Sequence, residues 1–391
     1  MKRWSFLVVT LICVLGMPRA GAQADTHAPR LPKNLLTVDA HNDTVQQILL
    51  EHVDIGIRQS DGGIDLPRLR EGNVSAPFFA LYVPDYYKGA EAVRRTLDYR
   101  DAMQSVFDKY PEQVELATSA GDISRIVGKG KIAIVLTVEG GHQIDDDLAV
   151  LRMYRRMGVL SMTLTHFRGN NWADSSTAPP EHNGLTEFGK DVVREMNAIG
   201  MIVDISHVSD KTFYDVLAVS SKPVIASHSS CRSLADHPRN MSDEMLVALG
   251  RKGGVVGVNF HSAFLSQQDA AEGMKRISQS NTIAPTETGA SLDVYAVKAR
   301  AEAGYIRPRV GNARLDDAIA CINHIVRLIG VDHVGIGSDF DGIPIVPQGL
   351  EDVSKMPALT AALMHGGYSE SDVRKIMGEN FMRVIRQVVG H

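Results

Sequence analysis

The chain has 391 residues, of which 44% are hydrophobic, 22% charged and 6% aromatic. This is ordinary composition for a globular domain and excludes disordered, collagenous and multispan membrane classes. Lys and Arg total 41 against 46 Asp and Glu, a net charge of −5 without a basic block, so nucleic acid is not an expected partner.

The amino terminus reads as a leader. Lys2 and Arg3 precede an apolar run from Trp4 to Met17, and Ala22-Gln23-Ala24 places small residues where signal peptidase requires them. Residues 1–24 are therefore expected to be a signal peptide, with residues 25–391 exported to the periplasm or secreted. Cleavage removes Lys2, Arg3 and Arg19 and no acid, which takes the net charge from −5 to −8. The run is too short to span a bilayer comfortably, and no second long apolar run follows, so no stable membrane span is expected after cleavage. Cys13 is lost with the leader. Cys231 and Cys321 remain, and sequence separation leaves open whether they are free or paired.

Eight short apolar runs follow, continuous enough for strands buried on both faces. They are Leu35–Ala40, Pro77–Val83, Ile132–Val138, Val159–Thr165, Met201–Ser206, Pro223–Ser227, Gly254–Phe260 and Val334–Ser338. Between most of them lie stretches of helical periodicity: Ala90–Tyr110, Asp145–Met157, Thr186–Ile199, Lys211–Val219, Glu244–Arg251 and Asn312–Ile329. Asn312 and Ser242 are expected helix N-caps, and Gly158, Gly200 and Gly330 helix stops. The span 262–311, with its polar stretch Ser278–Gly289, reads as an excursion, and Ser369–Val389 as a terminal helix packed on the barrel. Eight buried strands alternating with helices predict an α/β fold, a (β/α)8 TIM barrel in a single catalytic domain. A doubly wound open sheet is the alternative, but no G-x-G-x-x-G turn follows the first strand.

In such a barrel the chemistry sits at the carboxyl ends of the strands. Six of the eight runs end there in His, Asp or Glu: Asp39-Ala40-His41-Asn42-Asp43, Glu139, His166, Asp204-Ile205-Ser206-His207, His228, and Asp339-Phe340-Asp341. Any one histidine could be structural, but buried charges are costly unless paired or bound to metal, so six such ends point to a metal site. His41, Asp43, Glu139, His207 and His228 are too many ligands for one catalytic zinc. Two zinc ions fit, with His41 and Asp43 on one, His207 and His228 on the other, Glu139 bridging, and a shared hydroxide as nucleophile. Asp339, nearer its strand than Asp341, is the expected proton carrier. The other ten histidines, His142 and His237 among them, are read as surface or structural. Sequons at Asn42, Asn73 and Asn240 are discounted.

The same residues resemble the membrane dipeptidase (renal dipeptidase) family, peptidase family M19, among the amidohydrolase-like barrels. The resemblance runs from about Leu36 to the C-terminus. It rests on Val38-Asp39-Ala40-His41-Asn42-Asp43, Glu139-Gly140-Gly141, Thr163-Leu164-Thr165-His166, Trp172-Ala173-Asp174, Asp204-Ile205-Ser206-His207, Ser227-His228-Ser229-Ser230, Arg239-Asn240 and Gly337-Ser338-Asp339-Phe340-Asp341-Gly342. It implies the same five metal ligands. It adds His166 as oxyanion donor and Arg239 as partner of the substrate's free carboxylate, with Asp339 also facing substrate. An Arg fork suits that task. The expected activity is zinc-dependent hydrolysis of short dipeptides, including those with a C-terminal D-residue. The alternative is another amide, lactone or ester hydrolase of the same barrel type, although such relatives usually carry His-x-His on strand one and a modified lysine as bridge. Phe264 stands where animal members carry a tyrosine. A homodimer is one option for its assembly.

Overall fold

The structure, a computed structural model, describes Met1 and residues 31–272 and 308–390. The expected signal peptide and the polar stretch Ser278–Gly289 lie outside the described residues. Eleven strands are described: β1 Val38–Asn42, β2 Ala76–Tyr82, β3 Val114–Leu116, β4 Ile132–Glu139, β5 Val159–Thr163, β6 Ile202–Asp204, β7 Ile225–Ser229, β8 Val255–Val258, β9 Arg309–Arg314, β10 Val334–Ile336 and β11 Ile345–Gln348.

Eight of them pair in parallel in the order β2-β1-β10-β8-β7-β6-β5-β4, and β4 returns to β2 through Phe78↔Val135 to Tyr82↔Glu139, closing a (β/α)8 barrel. Each predicted apolar run overlaps one of these strands, and almost every strand residue is buried, as strands covered on both faces require. β3 is an addition: it pairs with Ile132–Ile134 of β4, below Leu136 where pairing with β5 begins. Gly337, just past β10, lies so close to β7 that a Cβ there would overlap the Ser227 carbonyl.

The last segment forms helices Glu370–Arg374 and Asn380–Val388 joined by a π-helical turn, Lys375–Glu379. Its Phe381, Met382 and Ile385 join Val38, Phe78, Val135, Ile202, Ile225 and Val255 in one apolar cluster. Asn380 Nδ2 donates to the Val331 and Val334 carbonyls, and Arg383 donates to those of Gly253 and Asp332, all beside strand starts. The final helix therefore closes the amino-terminal mouth of the barrel and leaves the opposite rim open for chemistry.

One expected N-cap is not observed. Asn312 is not a helix N-cap. It lies in β9, which pairs with β11 outside the barrel, and its backbone N–H donates to Asp269 (2.9 Å). The helix starts later, at Leu315–Ile329, with Arg314 as cap residue and Asp317 accepting from the Arg314 N–H at 2.8 Å. Helix Ala120–Gly128 was not among the periodic stretches. By contrast Ser242 caps helix Asp243–Arg251 by accepting from the Met245 N–H. The cysteines are buried free thiols whose sulfurs lie 2.7 Å apart, joining the segment after β7 to helix Leu315–Ile329.

Candidate metal centre

Every predicted site residue lies at the carboxyl rim. His41 is the penultimate residue of β1 and Asp43 lies just past the strand; Glu139 ends β4; His166 and His207 lie just beyond β5 and β6; His228 is in β7; Asp339 follows β10. Barrel closure gathers them although the chain separates His41 from Asp339 by almost 300 positions. His207 (φ +70°) and Asp339 (φ +63°) hold left-handed backbone conformations, as does Asp341 (φ +66°). Non-glycine residues adopt that region at some cost, and such strain gathers at functional sites.

Glu139 is the hub. Its Oε2 lies 3.5 Å from His41 Nε2, and its Oε1 lies 3.1 Å from His207 Nε2 and 3.4 Å from His228 Nε2. His41 Nε2 is also 3.5 Å from Asp43 Oδ2 and 4.0 Å from Asp339 Oδ1. Three overlapping groups could each hold an ion: His41, Glu139 and His228; Glu139, His166 and His207; His41, Asp43 and Asp339. The rings of His41 and His228 stack with centroids 3.8 Å apart, and His207 and His228 bring their Nε2 atoms within 2.9 Å. Buried His41 Nε2 has no hydrogen-bond partner among the described residues. Converging imidazole nitrogens and carboxylate oxygens, one of them orphaned, fit a divalent metal of the zinc type.

The electrostatics agree. Burial favours a neutral Glu139, but the charges of His41 and His166 and a hydrogen bond from His207 hold it well below the usual carboxylate range. Burial and the Arg239 charge push His207 far down, and burial and His41 do the same to His228. Both rings are therefore neutral at physiological pH, the form a metal requires. For His41, burial is outweighed by the Glu139 charge and by Asp43, which raise it well above its ordinary value. Burial, then the charges of Asp43 and Glu139, raise Asp339 to about 7, against the opposing effects of His41 and Asn259.

The structure separates the two carboxylates that spacing left in competition. Asp341 is engaged in the scaffold: its Oδ2 accepts from Thr44 Oγ1 (2.6 Å) and its Oδ1 from the Gly63 N–H (2.5 Å). Asp339 accepts from Asn259 Nδ2 (2.8 Å) and turns its other oxygen to the cluster. Gly342 makes this approach possible, since a Cβ there would overlap both Asp43 and Asp339.

Arg239 is buried beside the cluster. Its guanidinium makes one hydrogen bond among the described residues, Nη2 to the His228 carbonyl (3.1 Å), and Nε has no partner. Burial lowers it to about 10. Phe264 lies beneath it, 5.4 Å from the guanidinium carbon to the ring centroid, with His237 tilted against the same ring at 4.6 Å between centroids. His166 packs on Tyr82, Phe167 and His207, with Nε2 3.9 Å from Glu139 Oε1 and Nδ1 3.4 Å from Asp85 Oδ2.

Sequence reasoning missed Asp85 and Asn259, which extend the contributions to the rim beyond the six strand ends found by motif. Asn259 was visible as the one amide in the apolar run Gly254–Phe260, and Asp85 as an acid two residues past Val83. His142, read as structural, approaches Asp85 through Nδ1 at 3.9 Å. Asn42 and Asn240 are buried and donate to backbone carbonyls, which rules out glycans there.

A (β/α)8 barrel with a buried His/Glu cluster at its carboxyl rim defines the class, a metal-dependent hydrolase. The profile of the family described as Membrane dipeptidase (Peptidase family M19) matches residues 26–390, and the chain belongs to that family. It is 36% identical over 365 residues to Dipeptidase tcpJ of Claviceps purpurea (strain 20.1), covering 90% of this chain and 76% of that protein. It is also 36% identical over 335 residues to Dipeptidase verJ of Clonostachys rogersoniana, covering 83% and 75%. Among solved structures, a metallo peptidase from Rhodobacter sphaeroides liganded with a phosphinate mimic of the dipeptide L-Ala-D-Ala superposes with a TM-score of 0.75 at 25% identity, over 90% of this chain and 99% of that one. The probable dipeptidase PvdM from Pseudomonas aeruginosa gives 0.75 at 27% identity, over 91% and 96%. The protein is thus a metallo-dipeptidase.

Proposed function

We propose that the protein is a two-zinc dipeptidase that cleaves short dipeptides, including those with a C-terminal D-residue, after being secreted or exported to the periplasm. The observation that carries the two-ion reading is the division of Glu139, one oxygen toward His41 and the other toward His207 and His228. His41 and Asp43 would hold one ion and His207 and His228 the other, with Glu139 between them. Zinc bound there would supply Lewis acidity and bring a water's pKa toward neutrality.

The protein's own groups divide the remaining work. Arg239, a buried cation with unused donors, pairs with the free carboxylate of the dipeptide. His166 turns Nε2 into the site and donates to the carbonyl oxygen as negative charge develops on it. Asp339, raised to about 7 by burial, takes the proton of the attacking water and delivers it to the departing amine. Acceptance of a D-residue is supported by the Rhodobacter relative, which holds an L-Ala-D-Ala mimic. Export is supported by the basic, apolar and small-residue order of residues 1–24.

The test is an assay of the mature chain, freed of metal and reloaded with zinc, against L,L- and L,D-dipeptides. Zinc-restored cleavage of both series is expected. Absence of cleavage with zinc supplied would reject the reading.

A further inference from the structure

Of the three histidines proposed as metal ligands, only His228 has its outer nitrogen hydrogen-bonded among the described residues. Nδ1 of His41 and Nδ1 of His207 have no hydrogen-bond partner among the described residues. His228 Nδ1 lies 2.7 Å from Ser227 Oγ, and Ser227 Oγ donates to Asp204 Oδ2. Asp204 Oδ2 also accepts from Thr163 Oγ1 (3.0 Å), while its Oδ1 accepts from the backbone N–H groups of Ser206 and Ser227, each at 3.0 Å. All these residues are buried.

The direction of each proton follows from this arrangement. Asp204 is surrounded by donors and acts as acceptor, so the single hydroxyl proton of Ser227 goes to it. Ser227 Oγ is then an acceptor toward His228, whose proton must sit on Nδ1. That leaves the Nε2 lone pair directed at Glu139 and His207. We propose that Asp204 and Ser227 are positioning residues that fix the tautomer of His228 and thereby set the affinity of the ion held by His207 and His228. This rests on the metal reading above; such outer partners typically change metal affinity 10- to 100-fold.

Asp204→Asn tests the direction of the relay. The backbone N–H groups at Oδ1 require the amide oxygen on that side, so the NH2 group faces Ser227 and its hydroxyl proton is turned toward His228 Nδ1. The proton of His228 then moves to Nε2, and metal binds there only once that proton has been returned to Nδ1, at a cost in affinity. The measurement is a long-range 1H–15N correlation spectrum of the histidine rings in the metal-free chain at pH 7.5, together with zinc titration against a chromophoric chelator. The wild type is expected to show the Nδ1–H tautomer at His228 and to bind two ions. Asp204→Asn is expected to show Nε2–H and to bind one ion about 10- to 100-fold more weakly, the other staying within about twofold. Ser227→Ala, which removes one oxygen, is expected to weaken the same ion and provides the readout if Asp204→Asn does not fold. An Nε2–H tautomer in the wild type, or unchanged affinity for both ions in the variants, overturns the relay. A wild-type chain that takes up no zinc overturns the metal reading itself.

Discussion

Asp339 and Arg239 carry the sharpest expectations because each is buried without a permanent partner for its function. Replacing Asp339 with Asn keeps the shape and the hydrogen-bonding capacity toward Asn259 but removes the base. Turnover should fall by at least about 10²-fold with zinc content unchanged, checked by steady-state kinetics alongside metal analysis. For Arg239, the informative substrate is a dipeptide whose carboxylate is capped as an amide. The wild type should discriminate strongly against it, whereas Arg239→Met should lose activity on the free dipeptide and discriminate little; preserved discrimination would remove Arg239 from carboxylate binding. The proposed ligands were legible because Asp and His at strand ends are scarce and costly. Asp85 and Asn259 escaped because one acid or amide near a strand end is common, and their meaning comes only from the side chains they face.

Elements place these groups, and the turn after β10 is the most constrained. Asp339 and Asp341 both adopt left-handed backbone conformations there, and Gly342 has no room for a side chain against Asp43 and Asp339. Gly342→Ala should therefore separate the two carboxylates, costing about 1–3 kcal/mol of stability in urea titration and lowering zinc affinity as well. A variant with wild-type zinc affinity would show that the close approach is not needed. All eight barrel strands were legible as apolar runs, since burial on both faces leaves little room for polar residues. The strand Val114–Leu116 was not, because Glu115 interrupts it and only Val114 is fully buried. Arg309–Arg314 was not because it is polar and mostly exposed, so periodicity extended the following helix back to Asn312.

At the scale of the whole molecule, acid stability depends on buried histidines that stay neutral. Burial, with the Arg239 charge beside it, lowers His237 to about 3. As pH falls below 6.5 the unfolded chain gains a proton there that the folded chain refuses, so stability is lost progressively from pH 6.5 down toward 3. His237→Asn, whose amide oxygen can still accept from the Arg239 N–H, removes this loss. Relative to wild type it should gain about 2 kcal/mol between pH 7.5 and pH 5, read from urea midpoints; an identical pH slope would place His237 in solvent contact. Closure of the barrel by β2 and β4, and sealing of its far mouth by the final helix, could be anticipated only as a class, because neither is a local property of sequence.

The central claim is that two ions flank Glu139. Crystals of the zinc-loaded mature chain, measured at the zinc absorption edge, test it directly. Two anomalous peaks are predicted, one at His41 and Asp43 and one at His207 and His228, with Glu139 between them. A single peak, or peaks away from Glu139, would contradict the account.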